Sequence, residues 1–85
     1  MDLTYTYYAL FSPDTGDPTA TNVAFPDIFG GTTFGYGEEE ALYMAKDFLR
    51  SMLQIAPEQC MAPSSEEKLR ALFPDKRIVP ITVDV

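Results

Sequence analysis

Between Phe25 and Ala41 the chain reads FPDIFGGTTFGYGEEEA, with Pro26 and glycines at 30, 31, 35 and 37. No helix survives that spacing of breakers, so none can begin before Glu38. Beyond Glu38, Ala41, Ala45, Phe48, Leu49, Met52 and Ile55 recur at intervals of three and four, with Met44 and Leu53 widening the stripe. That period predicts one amphipathic helix over 38–56, ended by Pro57, because a residue before proline avoids helical angles. Glu38, Glu39 and Glu40 fill its first turn, where carboxylates meet the positive end of the helix dipole. A single long helix with an apolar stripe needs a sheet to lie on.

The segments in front of it supply strands. TYTYYALFS, residues 4–12, alternates with period two: Tyr5, Tyr7, Ala9 and Phe11 share one face, Thr4, Thr6, Tyr8 and Leu10 the other. PDTGDPT, 13–19, is a turn cluster, and ATNVAF, 20–25, alternates again, so the pair reads as a hairpin with a long loop. Pro26, Asp27, Gly30 and Gly31 read as a turn in which both glycines can take positive φ. Thr32–Phe34 reads as a short third strand, with Gly37 at the helix cap. After the helix, SSEE at 64–67 fits a capping box with Ser64 as cap and Glu67 reaching back. It opens a two-turn helix with Leu69, Leu72 and Phe73 on one apolar edge and Pro74 at its close. RIVPITVDV, 77–85, is a last strand in which Pro80 suits an edge or the unpaired side of a ladder. The order β-β-β-α-(α)-β predicts an α+β fold, a small antiparallel-rich sheet with the main helix packed on one face.

Eighty-five residues and 9.5 kDa suit a single domain over 1–85. The chain carries 13 acids against 6 bases, a net charge of −7, and the placement is lopsided. Asp2, Asp14, Asp17, Asp27, Glu38, Glu39 and Glu40 are the charged residues of positions 1–45, where no Lys or Arg occurs. The six bases all lie beyond, among six further acids, so the front half holds the entire net charge. Without a basic stripe to displace counterions from phosphates, direct nucleic-acid binding is not expected, and a basic protein partner fits the field better.

Catalytic chemistry is sparsely provided for. There is no histidine, and the one cysteine, Cys60, cannot pair within the chain or build a zinc site. The glycines match no phosphate-binding loop, and no base lies near them. No catalytic residue, cofactor or metal ligand is assigned. A carboxylate-dependent nuclease built from Asp14, Asp17, Asp27 and Glu38–Glu40 is conceivable, but the sequence brings no two of these acids together. With no apolar leader and no membrane-length apolar run, a cytoplasmic protein is expected.

The order of segments resembles the HicB family, the antitoxin halves of bacterial HicA–HicB toxin–antitoxin pairs. The likeness rests on an aromatic first strand ending in proline (Tyr8–Pro13), Phe25-Pro26-Asp27-Ile28-Phe29-Gly30, and a Thr-rich strand with Gly35. Gly37 leading into Glu39-Glu40-Ala41, then Pro63-Ser64 and a terminal valine-rich strand, completes it. The resemblance implies a partial RNase H-like fold. It also implies a task, to bind a small basic HicA-type ribonuclease and cover its catalytic histidine. On that reading the expected charged contacts are Asp14, Asp17, Asp27, Glu38 and Glu39, and the apolar anchors Phe25, Ile28 and Phe29. Many family members continue into a DNA-binding segment, whereas this sequence stops at its last strand, so operator binding is not expected of it. The competing expectation is a homo-oligomeric HicB-like scaffold or regulatory module without a toxin partner, since large side chains occupy both faces of the first strand.

Overall fold

A computed structural model describes residues 3–85; Asp2, counted above among the front-half acids, lies outside them. Four strands, β1 (Thr4–Pro13), β2 (Ala20–Ala24), β3 (Thr32–Tyr36) and β4 (Arg77–Asp84), form one antiparallel sheet in the order β3-β2-β1-β4. The main helix, α1 (Glu38–Ile55), lies on one face, and a shorter helix, α2 (Glu66–Leu72), packs on β4. The α+β architecture is as expected. The antiparallel pairing of β1 with β4 over eight residue pairs sets the first and last strands side by side.

Alternation sorts the sheet into two faces. Tyr7, Ala9 and Phe11 of β1, Val23 of β2, and Ile81 and Val83 of β4 turn inward against Ala41, Ala45 and Leu49 of α1, all buried in one core. Phe25 joins this core and stacks on Phe48 of the helix, ring centroids 5.8 Å apart. The helix comes down closest on β3. A Cβ added to Gly35 would stand 2.5 Å from the Ala41 nitrogen and 2.7 Å from its Cα, so only glycine fits there. Small residues on both sides of the contact let two backbones meet, and Phe25, Phe48 and Leu49 fill the space beyond.

Several details depart from the sequence expectations. β3 runs two residues past Phe34, so Tyr36 belongs to the strand and shares Phe34's face. Gly30 has the positive φ expected of it (70°), but Gly31 does not; a Cβ on Gly31 would stand 2.9 Å from the Ile28 carbonyl oxygen, so close packing requires that glycine. Ile55 ends the apolar stripe yet is 81% exposed. Arg50, five residues earlier, already reaches the Asp84 carbonyl at the foot of β4 (3.4 Å), so the last turn of α1 overhangs the sheet. Pro57 does end the helix, and a 3-10 turn over Pro57–Gln59 follows.

The cap of α2 is Ser65, whose hydroxyl accepts the Lys68 amide at 3.1 Å. Ser64 is engaged elsewhere: its amide and its hydroxyl both donate to the Asp27 carboxylate, at 2.7 and 2.8 Å. Leu72, expected on the apolar edge of α2, is 60% exposed, and Leu69 alone is buried. Leu69 and Leu10 are buried outside the main core; Leu10 belongs by alternation to the second face, and α2 is the element available to cover that end of it.

The Gly35–Ala41 approach generates a stability prediction. Gly35→Ala forces a Cβ into backbone rather than into a yielding side chain, and overpacking of that kind costs about 1–3 kcal/mol. Urea unfolding should show the midpoint fall with little change in slope; an unchanged midpoint would mean that the helix can back away freely.

Candidate protein-binding surface

The eight residues singled out from the sequence fall at two ends of the sheet. Ala20 pairs with Tyr36 and Ala24 with Thr32, so the β1–β2 loop and the start of α1 lie at one end, and the 25–31 corner at the other. Asp14, Asp17, Glu38 and Glu39 belong to the first group; Phe25, Asp27, Ile28 and Phe29 to the second.

The corner is mostly interior. Phe25, Ile28 and Asp27 are 2%, 3% and 8% exposed, and Phe29 alone stands out, at 79%. Asp27 is therefore a tie rather than a surface charge. Its carboxylate takes both donors of Ser64, and its carbonyl accepts the Met61 amide at 2.8 Å. Beside it Ile28 and Cys60 form a short antiparallel bridge, the Phe29 amide donates to Gln59, and the Tyr7 hydroxyl donates to the Met61 carbonyl at 2.6 Å. Burial raises the Tyr7 phenol above its ordinary value, which keeps the hydroxyl a donor, and burial likewise pushes the Cys60 thiol up. The crossing from α1 to α2 is thus laced to the β2–β3 corner by four separate residues.

At the opposite end the acids gather. Asp14 organises the β1–β2 loop: one carboxylate oxygen accepts the Gly16 and Asp17 amides at 2.9 and 2.8 Å, the other the Asn22 side-chain amide at 2.9 Å. Those bonds, Asn22's foremost, hold the Asp14 carboxyl below its ordinary value. Asp17 accepts the amide and hydroxyl of Thr19, at 3.0 and 2.6 Å. Glu38 pairs with Arg77, whose guanidinium also sits over the Phe11 ring, 5.5 Å from its centroid. Both partners of that ion pair are more than half exposed, so it contributes little to stability. Glu40 accepts the Tyr36 backbone amide at 3.0 Å, and Glu39 makes no hydrogen bond or ion pair among the described residues.

Aromatic rings stand among these carboxylates. Phe34 and Tyr36 meet edge to face on the second side of β3, centroids 5.7 Å apart, and are 50% and 57% exposed; Tyr43 of α1 is 68% exposed. Tyr36 is the hinge of the surface. It lines an open depression of about 480 Å³ with Glu39, Glu40 and Tyr43, and a second of about 190 Å³ with Asp14, Asp17, Asn22 and Phe34. Contiguous exposed apolar groups rimmed by charge are typical of protein-binding surfaces.

The sequence points to neither Phe34, Tyr36 nor Tyr43, and to Glu40 only as a carboxylate of the nuclease alternative. The signal was the T-F-G-Y alternation, which puts Phe34 and Tyr36 on one side of a strand; ending that strand at Phe34 concealed it. Among the described residues no group of three or more Cys, Asp or Glu side chains is placed to hold a metal ion. No helix is long and apolar enough to cross a membrane. Comparison with family models, curated proteins and solved structures finds no match to this chain.

The Asp14 geometry predicts a pH dependence. A carboxyl whose folded-state pKa is depressed contributes stability above its unfolded value and loses it as pH falls through the folded value. Asn22→Ala should move the Asp14 midpoint upward toward the ordinary 3.8 in an NMR titration. The stability difference between variant and wild type should be present at neutral pH and fade below the wild-type midpoint. An Asp14 midpoint that ignores the substitution would contradict this assignment.

Proposed function

We propose that this chain is a non-catalytic protein-binding domain that covers the RNA-cleaving site of a small basic ribonuclease of the HicA type, as an antitoxin does. One observation carries the reading: Asp14, Asp17, Glu38, Glu39 and Glu40 share one end of the molecule with the exposed rings of Phe34, Tyr36 and Tyr43. The likeness of the sequence to HicB antitoxins supplies the identity of the partner; the charge and the aromatics supply the means. Carboxylates steer a cationic partner inward and set orientation, while desolvated aromatic rings hold it. A ribonuclease surface that grips RNA phosphates is cationic, so an acidic cover competes for the same groups. Asp14 and Asp17 act by shaping the loop as well as by charge, and Glu39, Glu40, Tyr36 and Tyr43 provide the contact. Phe25, Asp27 and Ile28, being buried, serve the corner that holds the frame together.

Co-expression with a small basic ribonuclease of the HicA type tests the reading. A complex should form at low salt, mRNA cleavage should cease, and affinity should fall steeply as ionic strength rises. Glu39→Lys and Tyr43→Ala, both at exposed positions, should leave the unfolding midpoint in place yet each weaken the complex by roughly tenfold or more. Variants that bind as tightly as the wild type would remove the surface from consideration.

A second reading has its own observation. Phe29, Ile55 and Met61, at the far end, are 79%, 81% and 57% exposed. They suit self-association into a homo-oligomeric module that keeps the acidic ends apart. Sedimentation of the wild type beside a Phe29→Ser, Ile55→Ser variant separates the readings: a dimer or higher oligomer that becomes monomeric supports it, and a monomeric wild type ends it.

A further inference from the structure

β3 and β4 are the two edges of the sheet, and their hydrogen bonds reveal which backbone groups each one presents outward. The Phe25 amide donates to the Gly31 carbonyl at 2.7 Å, and the Gly37 amide to the Thr19 carbonyl at 3.2 Å. In an antiparallel ladder bonded and non-bonded pairs alternate, so Thr33 and Gly35 face β2, and Thr32, Phe34 and Tyr36 turn their N–H and C=O groups away from it. Two of those three outward amides are already occupied. Thr32 donates to the Gly30 carbonyl and Tyr36 to the Glu40 carboxylate, each at 3.0 Å. Phe34 has no backbone partner on that side among the described residues.

The other edge is closed differently. Leu3 and Val85 exchange both of their backbone bonds, so Val79, Ile81 and Val83 face β1, and Ile78, Pro80, Thr82 and Asp84 face outward. Pro80 lies at the middle of that outward row and has no N–H to offer. An incoming strand could not complete its ladder there. On β3 the Thr32 amide is turned to the Gly30 carbonyl, but the Phe34 amide is open and the Tyr36 amide is held by a side chain, the Glu40 carboxylate, much as a neighbouring strand's carbonyl oxygen would hold it.

We propose that β3 is a docking edge for an extended, positively charged segment of the partner, and that Glu40 holds this edge closed until such a segment displaces it. The inference rests on the reading of the chain as a binder of a basic protein and adds how that binding is made. Backbone bonds to Phe34 and Tyr36 attach the segment, and the depressions on either side of Tyr36 take its side chains. Glu40, once released, pairs with a lysine or arginine of the segment, and Glu39 lies beside it. The charge selects the occupant. A second copy of this chain would bring its own Glu39 and Glu40 against the same row of carboxylates, whereas a cationic strand neutralises them.

The test uses the full chain and an acetylated, amidated octapeptide of alternating lysine and threonine at low ionic strength, followed by NMR amide exchange. In the free chain the Phe34 amide should exchange fast and the Tyr36 amide slowly, and Glu40→Ala should speed Tyr36 alone. With peptide bound, Phe34 should become protected. Phe34→Ala removes the ring but keeps the amide, whereas Phe34→Pro removes the amide as well. The proline variant should bind the peptide roughly fivefold more weakly than the alanine variant, the worth of one ordinary backbone hydrogen bond. Peptide binding without protection of Phe34, or with equal affinities for the two variants, overturns edge docking while leaving the acidic surface as a binding site. No peptide binding at millimolar concentration also overturns it. Protection of Phe34 that grows with chain concentration in the absence of peptide overturns it in favour of a second copy.

Discussion

The contact of Gly35 with Ala41 governs the arrangement of this molecule. Two backbones meet where neither strand nor helix carries more than a methyl group, and the approach leaves no room for a Cβ on Gly35. Because Gly37 alone separates β3 from α1, that contact also decides what surrounds it. Glu38, Glu39 and Glu40 land at the end of β3, Tyr43 comes beside Tyr36, and the Glu40 carboxylate falls within reach of the strand's outward amide. Packing inside and charge outside are consequences of the same close approach. A bulkier residue at position 35 would lift the helix and disperse the surface that α1 builds with β3.

The opposite end is governed by the Asp27 tie. A buried carboxylate is costly unless its lone pairs are met, and here the amide and hydroxyl of Ser64 meet them across 37 residues of chain. This bond fixes the path from α1 to α2 and so brings β4 to the sheet in register with β1. The two ends divide the labour: one is laced shut by backbone and side-chain bonds around Asp27, and the other leaves Phe34, Tyr36, Tyr43 and Glu39 free of interior duties. That division is why a domain with so small a core can still leave aromatic rings exposed at one end.

Much of the fold was legible in the sequence, because prolines and glycines punctuate it so heavily. Pro26, Pro57 and Pro74 and the glycines at 30 and 37 bracket the elements, and residue spacing separates period two from period 3.6. What stayed hidden depended on tertiary context. Ser64 reads as the cap of α2, but Asp27, far away in the chain, takes its amide and hydroxyl, and Ser65 caps the helix instead. Gly31 can take positive φ but does not, and its constraint is instead the carbonyl of Ile28. Ile55 completes an apolar stripe but lies past the end of the sheet, which no local pattern records. The candidate surface was half legible: the carboxylates announce themselves through charge imbalance, but their grouping away from Asp27 follows from the hairpin order. Phe34 and Tyr36 emerge as a pair only when β3 is known to reach residue 36.

The end of the molecule carrying Tyr36 is the part we propose to cover a basic ribonuclease. A hydrogen-exchange footprint of the purified complex tests it most directly, since it reads every amide at once. New protection should appear over residues 14–17 and 34–43, with the corner at 27–31 and the end of α1 unchanged. Protection centred on Phe29, Ile55 and Met61, with residues 34–43 exchanging as in the free chain, would contradict it.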